Sequence, residues 1–186
     1  KVTEKATSDR VLVNYAQISD DSDENGNPID DIDSTPDKWI EGDDDQDIER
    51  IKVRTSGKYD LVLVKEDKDG KQLNSTAKFE VTTNGVKEEK EVTGRLTIAQ
   101  DVPVDADHLT DDVYIIKETK APDEYCEFDG TITVTVSKKI KDDGSGYEHS
   151  IKYTVGDSKE NDVTGKKDAN VYLNDEGNIY VEVKNY

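Results

Sequence analysis

Hydrophobic residues recur at every second position along most of this 186-residue chain, in runs rich in β-branched and aromatic side chains. Clusters of Gly, Asn, Asp and Lys separate the runs, and no segment has the spacing of an amphipathic helix. The turn sequences "DKDG" (67–70) and "NDEG" (174–177) suit tight connections between strands. This pattern predicts a sandwich or barrel of antiparallel sheets. Strands are predicted near residues 10–18, 48–54, 59–66, 77–83, 91–99, 112–119, 130–138, 149–155 and 178–185.

Acidic residues are concentrated near the start of the chain. Between Asp20 and Glu49 there are 14 acidic residues and one basic residue, Lys38, whereas the chain from Gly57 onward is mixed in sign and regularly patterned. The change predicts an acidic segment over 1–55 and a β-domain over 56–186. Two predicted strands are too few to bury a core, so we expect 1–55 to be the end of a preceding β-domain or a linker.

Composition excludes several classes of partner and scaffold. The chain carries 25 Lys and Arg against 44 Asp and Glu, a formal charge of −19, which argues against binding nucleic acid or an anionic membrane. No apolar run is long enough to span a bilayer. The single cysteine, Cys126, cannot form an internal disulfide. The chain starts at Lys1 and contains no Met, so we expect it to be a processed piece of a longer protein.

Three predicted strands each end an apolar face with one polar side chain. Alternation places Tyr114, Ile116 and Glu118 on one face of their strand, so a carboxyl group lies in line with an apolar pair. The three stretches are "YDLVLVKED" (59–67), "YIIKETKAP" (114–122) and "NIYVEVKNY" (178–186), and their polar groups are the Lys65 amine, the Glu118 carboxyl and the Asn185 carboxamide.

If these three groups meet inside the domain, they can react. Burial lowers the pKa of a lysine amine from its usual value of roughly 10.4, so the amine can be neutral and nucleophilic, and a buried carboxyl group stays protonated. Glu118 would polarise the Asn185 carbonyl and shuttle protons while Lys65 attacks and ammonia leaves. The expected product is an isopeptide bond between strands 120 positions apart in the sequence (65 to 185).

The same stretches resemble a CnaB-type domain of Gram-positive surface proteins and pilins. The resemblance rests on "LVLVKEDKDGKQLNSTAKFEV" (61–81), "TGRLTI" (93–98), "YIIKETKAPDEY" (114–125) and "IYVEVKNY" (179–186). It implies an immunoglobulin-like β-sandwich in which a Lys of the first strand, the Glu of an "ETKAP"-like motif and an Asn or Asp of the last strand form an isopeptide bond. The matching positions are Lys65, Glu118 and Asn185.

The acidic segment is similar to the end of a repeat domain in large Gram-positive surface proteins. The likeness rests on "VLVNYAQISDDSDENGNPIDDIDSTPD" (11–37) and "DDDQDIE" (43–49). It implies an isopeptide Asn at Asn14, but no matching Lys strand is identifiable, so no bond is predicted there.

The stretch "DSDENGN" (21–27) is a candidate calcium loop. Asp21, Asp23 and Asn25 alternate before Gly26, so their oxygens can converge on a hard cation, with Asp31 or a nearby carboxylate completing the set. The twelfth position from Asp21 is Ile32 instead of Glu, which excludes an EF-hand. A solvated acidic linker is the alternative. No cofactor is required by either interpretation.

Two classes of function follow. The first is a stalk or pilin-like module outside the cell, whose partners are the neighbouring domains of the same surface protein. The second is an adhesin that binds a host or extracellular ligand on the long segment after Lys138 or near Trp39. A turnover enzyme is not expected, because outside the three reacting residues the sequence has no paired nucleophile and base and no phosphate-binding loop.

Overall fold

The computed structural model describes residues 11–17, 22–27, 46–156 and 169–186. In these ranges all regular secondary structure is β, and no helix is long and apolar enough to cross a bilayer. The strands are β1 (Val11–Gln17), β2 (Gln46–Lys52), β3 (Gly57–Asp67), β4 (Thr76–Thr83), β5 (Val86–Thr93), β6 (Arg95–Val104), β7 (Asp112–Lys120), β8 (Thr131–Ile140), β9 (Tyr147–Val155), β10 (Ala169–Leu173) and β11 (Ile179–Asn185).

The chain divides into two compact units, Lys1–Arg54 and Thr55–Tyr186. In the first unit, β1 and β2 form a two-stranded antiparallel sheet. Its apolar side chains are largely exposed, including Tyr15 at 60% and Ile51 at 54%. Two strands by themselves bury too little apolar area for a core. That this segment ends a preceding domain or serves as a linker stays a prediction.

The second unit contains two sheets, of strand order β10-β11-β3-β6 and β5-β4-β7-β8-β9. All neighbouring strands are antiparallel except β3 and β11, which pair in parallel, with Lys65 opposite Val183 and Asp67 opposite Asn185. The prediction of an all-β sandwich is confirmed. The parallel pair brings the first and last strands of the unit side by side and aligns the ends at which Lys65 and Asn185 lie.

The predicted strand near 91–99 is wrong, because two strands and a turn occupy this region. Asn84 (φ 47°) and Gly85 (φ 87°) form the two-residue turn between β4 and β5, for which Asn-Gly is the favoured sequence. A second turn at Gly94 (φ 70°) separates β5 from β6. Strand β5, "VKEEKEVT", was missed because its charged residues hide the alternation, as is common in edge strands. The five-residue β10 was also missed.

The inward faces of the two sheets form the core. Burial alternates strictly in β7 and β11, whereas β3 is buried on both faces from Leu61 to Lys65, and Leu63, Ile116 and Val181 are fully buried. Burying one such side chain contributes about 1.5–3 kcal/mol. The other buried members are Tyr59, Leu61, Ala77, Phe79, Val81, Val92, Val104, Tyr114, Phe128, Ile132, Val134, Val136, Val155, Ala169, Val171, Ile179 and Val183.

A buried polar cluster lies at one end of this core. The Tyr59 hydroxyl donates to Asp112 Oδ2 (2.6 Å) and lies 3.0 Å from the Tyr114 hydroxyl. Lys138 Nζ is 2.5 Å from Asp112 Oδ2, and Asn84 Nδ2 donates to Asp112 Oδ1. Burial by itself would raise the pKa of the Asp112 carboxyl, but the hydrogen bonds from Lys138, Tyr59 and Asn84 outweigh it and lower that pKa. The cluster therefore holds Asp112 as a carboxylate.

We expect Lys138→Met to lower the free energy of unfolding by about 3 kcal/mol, because it leaves the partly buried Asp112 carboxylate without its cation. Lys139→Met is the matched control, since Lys139 is exposed and pairs with exposed carboxylates. Chemical denaturation of both variants at neutral pH measures the difference. An equal midpoint for the two variants would contradict the assignment.

The same ion pair predicts a pH dependence. The folded pKa of Asp112 lies below the ordinary value of 3.8, so the stabilisation is complete above that pH and is lost as pH falls through the folded pKa. The stability difference between the wild type and Lys138→Met should therefore shrink in acid. Denaturation curves at pH 7 and at successively lower pH measure it, and a difference that grows in acid would be inconsistent with a paired carboxylate.

Candidate functional site

The three polar residues predicted from strand alternation meet at the other end of the core. Lys65 lies near the end of β3, Glu118 on the facing sheet in β7, and Asn185 at the end of β11. Lys65 and Glu118 are 0% exposed and Asn185 is 1% exposed. They lie on the same inward faces as Leu63, Ile116 and Val183, so apolar side chains line the site.

Glu118 contacts both of the other residues, one with each carboxyl oxygen. Lys65 Nζ lies 3.4 Å from Glu118 Oε1, and Asn185 Nδ2 donates to Glu118 Oε2 at 2.9 Å. Lys65 Nζ also donates to the backbone carbonyl of Val183 at 3.1 Å. The carboxyl group is thus placed between an amine and a carboxamide. It meets the carboxamide at Nδ2 and not at the carbonyl oxygen Oδ1, so the predicted polarisation of the Asn185 carbonyl by Glu118 is not observed.

Backbone groups of the loop at residues 121–130, the covering loop, complete the site. The Phe128 N–H donates to Glu118 Oε2 at 2.5 Å. Asn185 Nδ2 donates a second hydrogen bond, to the Cys126 carbonyl, and the Cys126 N–H donates to the Tyr186 carbonyl at 2.8 Å. Sequence reasoning missed these contacts, because backbone atoms carry no residue-type pattern. The Cys126 residue itself is exposed.

Two buried oxygen atoms of the site accept no hydrogen bond within the described part of the chain. They are Glu118 Oε1 and Asn185 Oδ1. Buried polar atoms nearly always have a hydrogen bond in folded proteins, and among the described residues Glu118 Oε1 has only the ion-pair contact with Lys65 Nζ at 3.4 Å. Both atoms belong to the groups that the sequence singled out.

The predicted calcium loop is described only in part. Asp21 and Asp31 lie outside the described residues, as do the other acidic residues from 28 to 45. Asp23 Oδ1 accepts the backbone N–H groups of Asn25 and Asn27, and its Oδ2 accepts Asn27 Nδ2, which lowers the pKa of the Asp23 carboxyl. No group of three or more metal-ligating side chains occurs among the residues the structure describes. Calcium binding stays a prediction.

Two other turns use the same hydrogen bonds as the turn at Asp23. Asp67 Oδ1 accepts the N–H groups of Asp69 and Lys71. In the same way, Asn174 Oδ1 accepts the N–H groups of Glu176 and Asn178. Each turn has a Gly at its fourth position with φ of 81° or 82°. An Asx side chain that caps its own turn explains these sequences without a cation.

The remaining predicted sites lie elsewhere. Asn14 is exposed on β1 and is opposite Glu49 of β2, so it lacks the apolar enclosure that surrounds Asn185. The adhesin alternative places a ligand site near Trp39 or on the long segment after Lys138. Trp39 and residues 157–168 of that segment lie outside the described residues. The described parts of the long charged segment belong to β8, β9, β10 and the turn between β8 and β9.

We expect Gly130→Ala to disturb the covering loop. A Cβ atom at Gly130 would lie 2.7 Å from Cζ of the buried Phe128 ring, so the ring must move. The expected loss is roughly 1–3 kcal/mol of unfolding free energy. Gly57→Ala is the control, because its Cβ would meet only ordinary contacts of 3.7 Å or more. Thermal melts of both variants decide the point, and equal melting temperatures would count against the packing of Phe128 on Gly130.

Comparison with known proteins concerns mainly the second unit. Residues 59–149 match the SpaA family, described as a prealbumin-like fold domain. Two solved structures found by fold similarity are the pilus adhesin SpaC from Lactobacillus rhamnosus GG in its open conformation and a C-terminal fragment of the same adhesin. The first is 20% identical with a TM-score of 0.49 and is covered over 16% of its length; the second is 18% identical with a TM-score of 0.46 and is covered over 48%.

Both structures cover 74% of this chain, which spans less than half the length of either. Comparison with curated proteins gave no match. The family match agrees with the prediction of a structural domain that is not a turnover enzyme. Residues 59–149, which include Lys65 and Glu118, are therefore similar to the SpaA prealbumin-like fold domain.

Proposed function

We propose that this protein is a structural module of a bacterial cell-surface protein, stalk-like or pilin-like, stabilised by an isopeptide bond between Lys65 and Asn185. The observation that carries the proposal is the burial of Lys65, Glu118 and Asn185 together at the end of an apolar core, with Glu118 in contact with both of the others. An amine, a carboxyl group and a carboxamide in one dry site are the reactants and the proton shuttle that an amide exchange needs.

The reaction uses each group once. In its neutral form, the Lys65 amine attacks Asn185 Cγ. The Nζ–Cγ bond forms, the Cγ–Nδ2 bond breaks, and the proton lost by Nζ passes through Glu118 to the departing nitrogen, which leaves as ammonia. Glu118 touches both ends of this transfer, through Oε1 on the Lys65 side and Oε2 on the Asn185 side. Glu118 ends in the protonation state in which it began.

The bond would change how the domain carries force. It joins β3 and β11, the first and last strands of the second unit, which already pair in parallel. Tension applied at the two ends of the unit would pass along β3 to Lys65 and leave through Asn185. Residues 66–184 would then lie outside the path of the force. A covalent link of this kind resists reduction, unlike a disulfide, and suits a chain with one cysteine.

The family match supports this surface role. The SpaA-type match covers the region of Lys65 and Glu118, and the resemblance to CnaB-type domains extends to Asn185. We propose an extracellular location on the cell surface or in the cell wall, with the neighbouring domains of the same surface protein as partners. The bacterial source is proposed to be Gram-positive.

The intact mass of the purified protein tests the bond directly. We expect the wild type to be lighter than its sequence mass by one ammonia, because Lys65 and Asn185 have condensed. Lys65→Ala and Glu118→Ala should have their calculated masses, since each lacks the nucleophile or the proton shuttle. A wild-type mass equal to the sequence mass would sink the proposal.

Stability gives a second test. Lys65→Met keeps the length and apolar character of the lysine stem but cannot form the bond, and we expect it to lose roughly 5 kcal/mol, by analogy with a disulfide that closes a loop of about 100 residues. Lys58→Met, an exposed position on the same strand, is the control and should unfold like the wild type. Denaturant unfolding followed by fluorescence measures both, and equal unfolding of the two variants would contradict a cross-link at Lys65.

A further inference from the structure

We infer that the backbone carbonyl of Cys126 selects asparagine over aspartate as the acyl donor at position 185. The inference rests on the proposed function and concerns the same site. It starts from the two hydrogen bonds that Asn185 Nδ2 donates, one to Glu118 Oε2 and one to the Cys126 carbonyl. A carboxamide nitrogen carries two hydrogens, so both donors are used.

The Cys126 carbonyl also fixes which way the carboxamide faces. A carbonyl oxygen can only accept a hydrogen bond, so the group beside it must be the Nδ2 side of Asn185 and not Oδ1. In that orientation Glu118 Oε2 accepts both the Phe128 N–H and Asn185 Nδ2. The leaving nitrogen therefore faces two acceptors.

The covering loop holds the Cys126 carbonyl in place from both sides. On one side the Cys126 N–H donates to the Tyr186 carbonyl, and on the other the Phe128 N–H donates to Glu118. Phe128 is buried at 5% exposure, which anchors the loop on the core. The carbonyl therefore cannot turn away without breaking these contacts.

An aspartate at position 185 cannot satisfy this arrangement. An ionised Asp carboxylate has no hydrogen and would place an oxygen against the Cys126 carbonyl oxygen and against Glu118. A protonated Asp has one hydrogen for two acceptors, so either the Cys126 carbonyl or the buried Glu118 Oε2 loses this partner. Neither form reproduces the two donors of Asn185.

The chemical consequence is a difference in rate. With Asn185, Lys65 attack releases ammonia from a nitrogen already held by both acceptors. With aspartate in its place, the same bond from Lys65 Nζ to the side-chain Cγ would form with loss of water from a carboxyl group whose orientation the site opposes. We expect condensation in Asn185→Asp to be on the order of 10-fold to 100-fold slower, as one unmet buried hydrogen bond implies.

The test compares the wild type, Asn185→Asp and Asn174→Asp by intact mass during timed incubation after purification at pH 7. Asn174→Asp is the matched control, because the Asn174 turn uses the side-chain oxygen, which aspartate keeps. We expect the wild type and the control to lose ammonia fully, and Asn185→Asp, while folded by circular dichroism, to lose water on the order of 10-fold to 100-fold more slowly. Loss of water by Asn185→Asp as complete as the wild-type reaction would overturn the selection by Cys126.

A second measurement does not depend on the folding of Asn185→Asp. In Lys65→Met the bond cannot form and Asn185 keeps its carboxamide, so NMR can follow hydrogen exchange of its two Nδ2 protons. We expect both to be protected, in contrast to those of the Asn174 side chain. Rapid exchange of either Asn185 proton would overturn the inference.

The two proposals fail differently. A wild-type mass without loss of ammonia removes the isopeptide bond itself. A wild type that reacts, together with an Asn185→Asp that reacts equally fast or an unprotected Nδ2 proton, removes only the selection of asparagine.

Discussion

The contact of Glu118 with both Lys65 and Asn185 is the interaction on which the proposed role of this domain depends. It bridges the two sheets, because Glu118 comes from the five-stranded sheet and the other two residues come from the four-stranded sheet. Three polar groups buried together would be costly in an ordinary core, since each loses its hydration. Conversion of two of them into a neutral amide would remove a buried amine and with it much of that cost.

The core lies between two polar clusters. On β3, Tyr59 and Lys65 point inward six positions apart, and on β7 Asp112 and Glu118 do the same. The cluster at Asp112 is closed by an ion pair with Lys138 and by hydrogen bonds from Tyr59 and Asn84. The cluster at Glu118 has two oxygens that accept no hydrogen bond within the described residues. The first cluster is thus satisfied as it stands, whereas the second holds the amine, carboxyl and carboxamide groups of the proposed reaction.

Much of the fold followed from local patterns. Alternation in β3, β7 and β11 predicted which residues face the core, and the observed burial follows it in β7 and β11, whereas in β3 Val62 and Val64 of the opposite face are buried as well. Strand β5 was misread because an edge strand exposes charged residues on both faces and so loses the period of two. The Asn84-Gly85 turn would have corrected this, since that dipeptide favours a two-residue hairpin. In the acidic segment, the turn at Asp23 has the same pattern of side-chain-to-backbone hydrogen bonds as the turns at Asp67 and Asn174. The residue types by themselves do not reveal this pattern.

The sequence by itself determined that Lys65, Glu118 and Asn185 end apolar faces, because side-chain direction in a strand depends only on the parity of the position. Only the tertiary structure decided that the three ends coincide, since this requires the parallel pairing of β3 with β11 and the facing of two sheets. Tertiary structure also decided the roles of the Cys126 carbonyl and the Phe128 N–H. Nearly every residue has these backbone groups, and only the path of the covering loop aims two of them at the site.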